Sequence, residues 1–367
     1  MEREGQSTAP SRRPRRARWV QLAVGLVVSA LLLWLAFRDV ALGEVLTSMR
    51  SADPAWVIAT LLASYLGIYS RAQRWVPLFG ARNGVTAWDG FVAQSIGFAG
   101  NAALPFRAGE GLKILAMAQR TRRPFALVLA TVLVERVLDL VGVGVTLAIA
   151  LAVVPIPPSA GAQISDVVGL LKGVTVVGVA SVIAFLFLRR RALRLLDSLL
   201  AKLTGRAVSR VRAATHAFVE GLDNVARPRQ ILPALCLTVW VWATLAIPFA
   251  FMSRGFGFDR TYGASSWMVG IVCSAIVAVF VMVPAAPGFV GTYQAGCIAA
   301  LSIFGVPREG ALAFSLMVHF LTLVPPALTG LGFALRDGVV RDLRRAPRFS
   351  SPEGGGSGLD STDGFRG

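Results

Sequence analysis

Long apolar runs separated by short charged stretches dominate the chain from residue 19 to residue 340. An α-helix needs about twenty residues to cross the hydrocarbon core of a bilayer. Seven runs reach about that length, at 19–37, 54–75, 125–154, 165–188, 230–252, 262–284 and 311–335. Two shorter runs lie at 88–105 and 288–305. The pattern predicts an all-α polytopic membrane protein.

The composition agrees with this class, and the distribution of charged residues predicts the membrane topology. Hydrophobic residues make up 55% of the chain, charged residues 16%, and the mean hydropathy is +0.64. Of the 37 Lys and Arg residues, 29 lie in five connections, at 1–18, 71–86, 106–123, 189–229 and 336–348. Because Lys and Arg accumulate in the cytoplasmic loops of membrane proteins, these five connections and both termini are predicted to be cytoplasmic.

The positions of the basic loops predict whether each of the two short runs crosses the membrane. The loops 71–86 and 106–123 share the cytoplasmic side, so 87–105 must enter the membrane and return. Its Gly97, Gly100 and Asn101 suit a turn at membrane depth. By the same reasoning, 288–305 is predicted to cross the membrane once, because otherwise the basic stretch 336–348 would lie on the outer side. The expected fold has about eight transmembrane helices and one re-entrant hairpin.

Three further regions flank or interrupt the predicted transmembrane domain, 19–340. The basic arm 1–18 and the Gly- and Ser-rich tail 341–367 are expected to be disordered. In the basic loop 189–229, apolar residues recur at helical spacing among arginines, at Leu193, Leu196, Leu200 and Leu203. This spacing predicts an amphipathic helix on the inner leaflet, and a solvated linker helix is the alternative.

The stretch 99–113, AGNAALPFRAGEGLK, is too polar for an ordinary membrane helix. Arg107 and Lys113 can hold a phosphate, the first as a bidentate fork and the second as a point charge. Asn101 adds an amide, and Glu110 lies three residues before Lys113, where it can neutralise the lysine. The alternative is that the cations are membrane-surface anchors.

A second group of charges lies inside the run 125–154. Glu135, Arg136 and Asp139 follow about ten apolar residues, and a charge at this depth is costly. Arg136 and Asp139 are three residues apart and can pair. The group either neutralises itself and fixes the helix to its neighbours, or presents a carboxylate to a polar site. Arg71, Arg74 and Trp75 end the second span and are interpreted as interface anchors, with Arg71 within reach of the site.

A second polar stretch opens the short run 288–305 and contains Gly288, Thr292, Tyr293 and Gln294. Broken helices expose backbone N–H groups that can meet an anion, and two of them in corresponding halves favour an inverted repeat. His319 is interpreted as a packed helix residue. No metal-ligand spacing or nucleotide-binding motif occurs, so no cofactor is expected.

Four motifs in order resemble the flippase-like family that includes the transmembrane domain of bacterial lysylphosphatidylglycerol synthases. They are Arg71-Ala-Gln-Arg74-Trp75, Asn101-Ala-Ala-Leu-Pro105-Phe-Arg107-Ala-Gly109-Glu110, Glu135-Arg136-Val-Leu-Asp139, and Pro284-Ala-Ala-Pro287-Gly288-Phe-Val-Gly291-Thr292. The resemblance implies a multi-pass domain of the bacterial plasma membrane that moves or binds lipids. An acidic residue often follows the last motif in that family, where this chain has Tyr293-Gln294.

These observations favour a lipid translocase or lipid-binding transporter for a phospholipid or a polyprenyl-phosphate-linked headgroup, and the chain is not expected to be an enzyme. Membrane lipids with anionic headgroups are the expected partners, nucleic acid is not, and the oligomeric state is open. The first alternative is an integral membrane transferase that uses Glu110 or Glu135 as a base. The second is a non-transporting scaffold for cell-envelope biogenesis.

Overall fold

The computed structural model describes residues 26–38, 40–80, 84–104, 107–153, 228–283 and 286–339, with isolated helical positions at 169, 173, 176 and 198. Across these ranges the chain consists of α-helices joined by turns, which confirms the predicted all-α class. Apart from those isolated positions, the predicted span 165–188 and the basic loop 189–229 up to residue 227 lie outside the described residues. Both predicted tails also lie outside them.

The described helices follow one another in a simple order. They are α1 (Leu26–Phe37), α2 (Leu42–Arg50), α3 (Pro54–Trp75), α4 (Ala87–Ala103), α5 (Gly109–Thr121), α6 (Phe125–Val153), α7 (Pro228–Gly255), α8 (Phe258–Thr261), α9 (Ser266–Met282), α10 (Thr292–Ser302) and α11 (Arg308–Arg336). Short 3-10 turns lie at Val76–Phe79 and Pro287–Phe289. The predicted runs at 54–75, 125–154, 230–252 and 311–335 therefore coincide with α3, α6, α7 and α11 within a few residues.

The chain is a membrane protein by the length and hydropathy of its helices. Ile231–Gly255 of α7 and the whole of α11 are each long enough to cross a bilayer, with mean hydropathies of 1.9 and 1.8. Helices α1 and α2 qualify only as a pair and meet at a bend of 82°. Large apolar side chains point outward on these helices, including Leu232, Val239 and Leu328, each more than 60% exposed.

Two sets of contacts define the opposite ends of the bundle. At the first, the Asp53 end, the Asp53 N–H donates to the Gly255 carbonyl at 2.9 Å, so α3 begins where α7 ends. The Asp53 carboxylate also caps α3. At the second, the Arg120 end, Arg120 bonds both Asp89 near the start of α4 and Asp337 just after α11. Asp89 also forms a reciprocal capping box with Thr86.

Helices α4 and α5 form a helical hairpin with both outer ends at the Arg120 end. The predicted turn at Gly97, Gly100 and Asn101 is wrong, since α4 is helical through Ala103 and the chain reverses between residues 104 and 108. The glycines serve close packing instead. A Cβ added to Gly109 would lie 2.1 Å from the Gly97 carbonyl oxygen, so the two helices touch backbone to backbone.

Helices α9 and α10 form a second hairpin, and α10 occupies the run 288–305 that is predicted to be a short crossing. Helix α10 has 11 residues, and at 1.5 Å per residue it spans about 16 Å, half of a bilayer core. It packs back against α9, because a Cβ on Gly296 would lie 3.0 Å from the Val277 Cα. Gly270 of α9 contacts α7 near the Asp53 end, and α11 begins there six residues after α10.

The tips of the two hairpins meet in the interior of the bundle. Arg107, between α4 and α5, donates to the Val281 carbonyl at the end of α9 and lies over the Phe289 ring at 5.3 Å. Each hairpin is embedded in its own apolar core. The first core surrounds Trp75, Ile96 and Met117, and the second surrounds Cys273, Leu301 and Phe314. The fold thus places a polar stretch from each hairpin at one site.

Candidate functional site

A cavity of about 270 Å³ lies between the two hairpin tips and is closed by α3, α6, α7 and α11. Its lining joins the polar stretches that the sequence had separated by almost 200 residues. The charged lining residues are Arg71, Arg107, Glu110, Lys113 and Arg136, and the uncharged polar ones include Gln94, Asn101, Tyr293 and His319. Aromatic rings of Phe98, Trp242, Phe249 and Phe289 complete the wall.

The Glu135 carboxylate is the centre of a buried ion-pair network beside the cavity. Its Oε2 lies 2.9 Å from Lys113 Nζ, and its Oε1 lies 3.3 Å from Arg74 Nη2. The Gln94 amide also donates to Oε1 at 3.3 Å. Glu135 is 1% exposed, so a bare charge there would be strongly unfavourable and these partners are required. Of the two roles predicted for the charges of α6, Glu135 takes the one that fixes its helix to its neighbours.

Arg74 and Trp75 are both fully buried, which corrects their interpretation as interface anchors. Arg74 pairs with Asp139 at 2.7 Å as well as with Glu135. The Trp75 indole N–H donates to Thr131 Oγ1 at 2.9 Å, and its ring lies 5.0 Å from Lys113 Nζ. The burial of Arg74 at the end of α3 is compensated by these two carboxylates of α6.

Arg136 connects the network to the cavity. Its guanidinium donates to Asp139 Oδ2 at 3.0 Å, the pair predicted from their spacing, and to Glu110 Oε2 at 3.0 Å. Glu110 Oε2 also lies 3.4 Å from Lys113 Nζ, so this glutamate partly neutralises the lysine. Each of the three carboxylates of the network therefore has at least two cationic partners.

Arg71 and Arg107 line the cavity without a carboxylate partner. Among the described residues, no carboxylate oxygen lies within 4.0 Å of either guanidinium. The cluster around the cavity contains five cations, Arg71, Arg74, Arg107, Lys113 and Arg136, and three carboxylates, Glu110, Glu135 and Asp139. Within this cluster of described residues, positive charges exceed negative charges by two. Both arginines without a carboxylate partner line the same cavity.

The second hairpin tip is held by a chain of hydrogen bonds through His319. Gln294 Oε1 accepts from the Gly291 N–H at 2.8 Å, so its Nε2 is the donor to His319 Nδ1 at 2.9 Å. His319 Nε2 then carries the proton and donates to the Gly288 carbonyl at 2.8 Å. The Tyr293 ring stacks on the imidazole at 4.2 Å. Gly288 and Gly291 have φ angles of 71° and 89°, which favour glycine.

The twelve residues predicted for the site divide into two groups. Seven line the cavity: Arg71, Asn101, Arg107, Glu110, Lys113, Arg136 and Tyr293. Five lie behind it: Glu135 and Asp139 in the ion-pair network, and Gly288, Thr292 and Gln294 in the second hairpin tip. Sequence reasoning missed the lining residues Gln94, Trp242, Thr244 and Ser274, because single polar or aromatic residues in apolar helices carry no spacing signal.

The fold and the cavity define an all-α membrane protein with a cationic interior site. Residues 22–330 match the family described as the lysylphosphatidylglycerol synthase TM region, and the chain belongs to this family. A relative named glycosyltransferase AglD, from Haloferax volcanii, is 24% identical over 355 residues, which cover 88% of this chain and 55% of the relative. The chain thus spans about half the length of that relative. No solved structure matches the chain.

These matches confirm the resemblance and correct one expectation. The relative is named as a transferase, and this finding contradicts the expectation that the chain is not an enzyme. The family and the apolar helices together indicate a membrane protein.

Proposed function

We propose that this chain is the membrane part of a lipid-linked transfer system, and that its cavity binds the phosphate of a phospholipid or a polyprenyl phosphate and moves that headgroup through the membrane interior. The observation that carries the proposal is the pair of arginines, Arg71 and Arg107, that face the cavity without a carboxylate partner among the described residues. A guanidinium in a partly desolvated site binds phosphate through charge-assisted hydrogen bonds.

The charge of the site matches this ligand. The two positive charges in excess within the cluster equal the charge of a phosphate monoester, and a phosphodiester would leave one. Lys113 contributes to the potential but is engaged by Glu110 and Glu135. Direct phosphate contact is therefore assigned to Arg71 and Arg107, with Arg136 at the rim, where its side chain is 43% exposed.

The arrangement of the hairpins supports movement of the headgroup. One hairpin enters from the Arg120 end and the other from the Asp53 end, and their tips meet at the cavity. We propose that they are halves of an inverted repeat, whose alternate rocking opens the site to either side, as in transporters built from such repeats. From the distribution of Lys and Arg we propose that the Arg120 end and both termini are cytoplasmic.

Reconstitution into liposomes tests the proposal. An anionic phospholipid carrying a fluorescent acyl chain is incorporated in both leaflets, and a membrane-impermeant quencher reports how fast the inner pool becomes accessible. The native chain should accelerate this exchange, and Arg107→Ala should reduce the acceleration by about tenfold or more, the value of a charge-assisted hydrogen bond. Arg254→Ala is the matched control, since Arg254 lies over Trp56 at the Asp53 end.

The name of the relative favours a second candidate, in which the chain itself catalyses transfer to the lipid phosphate. Glu110 is the carboxylate that lines the cavity, whereas Glu135 is buried behind it. Glu110 is then the base that accepts the P–OH proton of the polyprenyl phosphate as that oxygen attacks the anomeric carbon of the sugar donor, whose bond to its own leaving group breaks. Incubation of the purified chain with a radiolabelled sugar donor and a polyprenyl phosphate tests this candidate. Product that forms with the native chain and not with Glu110→Gln would favour it over translocation.

A further inference from the structure

The wall of the cavity divides sharply by charge along the chain. Every charged lining residue lies on α3, α5, α6 or the first hairpin tip, before residue 137. The lining residues contributed by α7, α9, the second hairpin tip, α10 and α11 are all uncharged, and several are aromatic. A ligand that fills the cavity therefore meets cations on one side and a neutral, aromatic and hydroxyl-bearing surface on the other.

Four hydroxyl groups of the lining donate to a carbonyl of their own helix. Ser64 donates to Leu61 at 2.7 Å, Thr244 to Val241 at 2.7 Å, Ser274 to Ile271 at 2.9 Å and Thr322 to Val318 at 2.8 Å. A hydroxyl that has given up its hydrogen keeps its oxygen lone pairs. The lining thus offers several hydrogen-bond acceptors to a bound molecule.

Asn101 adds an independent observation. Its side-chain Oδ1 is buried and has no hydrogen-bond partner among the described residues, and the residue lines the cavity beside the cations. A buried carbonyl oxygen without a donor is unfavourable, so this atom is suited to receive a hydrogen bond from a ligand.

We propose that the headgroup carried by this site is a phosphate joined to an uncharged group with several hydroxyls, such as a sugar or a cyclitol. This inference rests on the proposed function and specifies its substrate. The acceptor oxygens of the lining, together with the Trp242 indole N–H, which has no hydrogen-bond partner among the described residues, suit a ligand whose O–H groups both donate and accept. An ammonium group also donates, but all three carboxylates near it are already paired and the site carries excess positive charge, which repels a cationic headgroup.

A hydrocarbon chain against the same wall is less suitable. It would cover Asn101 Oδ1 and the hydroxyl oxygens without giving them a donor, and such unpaired acceptors are costly in an apolar environment. Aromatic rings such as those of Trp242 and Tyr293 present flat apolar faces on which the C–H face of a sugar ring can lie, while its hydroxyls reach the acceptors.

Binding of a lipid series to the purified full chain tests the inference. The probes are phosphatidylinositol, phosphatidic acid and lysyl-phosphatidylglycerol with identical acyl chains, with a soluble hexose 1-phosphate as a fourth arm. Affinities come from native mass spectrometry or thermal shift in buffer below about pH 6, where phosphatidic acid, like phosphatidylinositol, carries about one negative charge. We expect phosphatidylinositol to bind about tenfold or more tightly than phosphatidic acid, the value of two or three neutral hydrogen bonds, and lysyl-phosphatidylglycerol to bind most weakly.

The outcomes separate this inference from the function on which it rests. Equal binding of phosphatidylinositol and phosphatidic acid, or tighter binding of the lysyl lipid, overturns the headgroup assignment and leaves the phosphate site intact. Absence of binding by all three lipids overturns the proposed function itself. If hexose 1-phosphate binds as tightly as phosphatidylinositol, the ligand need not be attached to a lipid. The assignment of a phosphate joined to a hydroxylated group would then stand.

A pair of variants on one helix provides the structural control. Thr244→Val removes a lining hydroxyl at constant shape and should weaken phosphatidylinositol several-fold while leaving phosphatidic acid unchanged. Thr238→Val removes a hydroxyl that makes the same bond, to the Ala234 carbonyl at 2.7 Å, and lies outside the cavity lining. An equal effect of the two variants on phosphatidylinositol overturns the role of the Thr244 hydroxyl.

Discussion

The ammonium group of Lys113 lies 2.9 Å from Glu135 Oε2, and each of the two side chains is 2% exposed. This contact joins the returning limb of the first hairpin to a helix that runs through both halves of the bundle. It also explains how a lysine and a glutamate persist at membrane depth, where each alone would be expelled or neutralised. The cations that remain unpaired around it are those that face the cavity.

Removing the shared carboxylate should be the most destabilising single change in the network. Glu135→Ala leaves Lys113 and Arg74 without one of their carboxylates in a dry environment, and breaking a buried pair in this way costs about 3–5 kcal/mol. Unfolding of the purified protein in detergent, followed by circular dichroism, measures the loss.

Arg136→Ala is the comparison for that variant. Its side chain is 43% exposed, so its ion pairs contribute about 1 kcal/mol or less. Equal unfolding free energies for Glu135→Ala and the native chain would show that the buried network does not stabilise the fold.

The two glycines of α5 should respond differently to the same substitution. In Gly109→Ala the new Cβ would lie 2.1 Å from the Gly97 carbonyl oxygen, and the hairpin must open at a cost of about 1–3 kcal/mol. In Gly111→Ala the Cβ meets nothing within 4 Å, and the higher helix propensity of alanine stabilises by up to about 1 kcal/mol. Melting temperatures of the two variants test this, and a similar shift in both would contradict the backbone contact between α4 and α5.

The Arg120 end should weaken in acid. Partial burial raises the pKa values of Asp89 and Asp337, but the hydrogen bonds and charge of Arg120, with Thr86 at Asp89 and Arg336 at Asp337, outweigh it, so both values lie below 3.8. A lowered pKa in the folded state gives stability that is complete above the unfolded value and is lost as the pH falls through the folded one. The melting temperature should therefore drop below about pH 4.

Asp89→Asn should flatten that pH profile and lower the melting temperature near neutral pH. Glu44→Gln, on an exposed position of α2, is the control that should keep the native profile. A native-like acid transition in Asp89→Asn would show that this aspartate does not contribute to it.

Arg71 should be required for anion binding and dispensable for folding. Arg71→Ala orphans no carboxylate among the described residues, so the unfolding free energy should change by about 1 kcal/mol or less. Binding of phosphatidic acid in nanodiscs should fall by about tenfold or more. Lys113→Ala should lower both the unfolding free energy and the binding of phosphatidic acid, because the buried Glu135 carboxylate pairs with that lysine. Loss of stability in Arg71→Ala equal to that in Lys113→Ala would assign Arg71 a structural role.

The sequence by itself determined the all-α class and, within a few residues, the bounds of α3, α6, α7 and α11. These features are local, because a helix in lipid satisfies its own backbone hydrogen bonds and its length is read directly from the apolar run. The distribution of basic residues predicted that 87–105 enters and returns within itself, whereas the structure places the second limb in α5, inside the segment counted as a cytoplasmic loop.

Only the tertiary structure decided the form of the second hairpin, the burial of Arg74 and the pairing of the cations. Two short crossings and one hairpin leave the following loop on the same side, so the distribution of basic residues did not distinguish them at 262–305. The 11-residue length of α10, too short to cross a bilayer core alone, appears only in the structure. The burial of Arg74 depends on Glu135, 61 residues further along the chain. Which cations pair and which face the cavity follows from where the hairpin tips meet, and such long-range contacts leave no periodicity in the sequence.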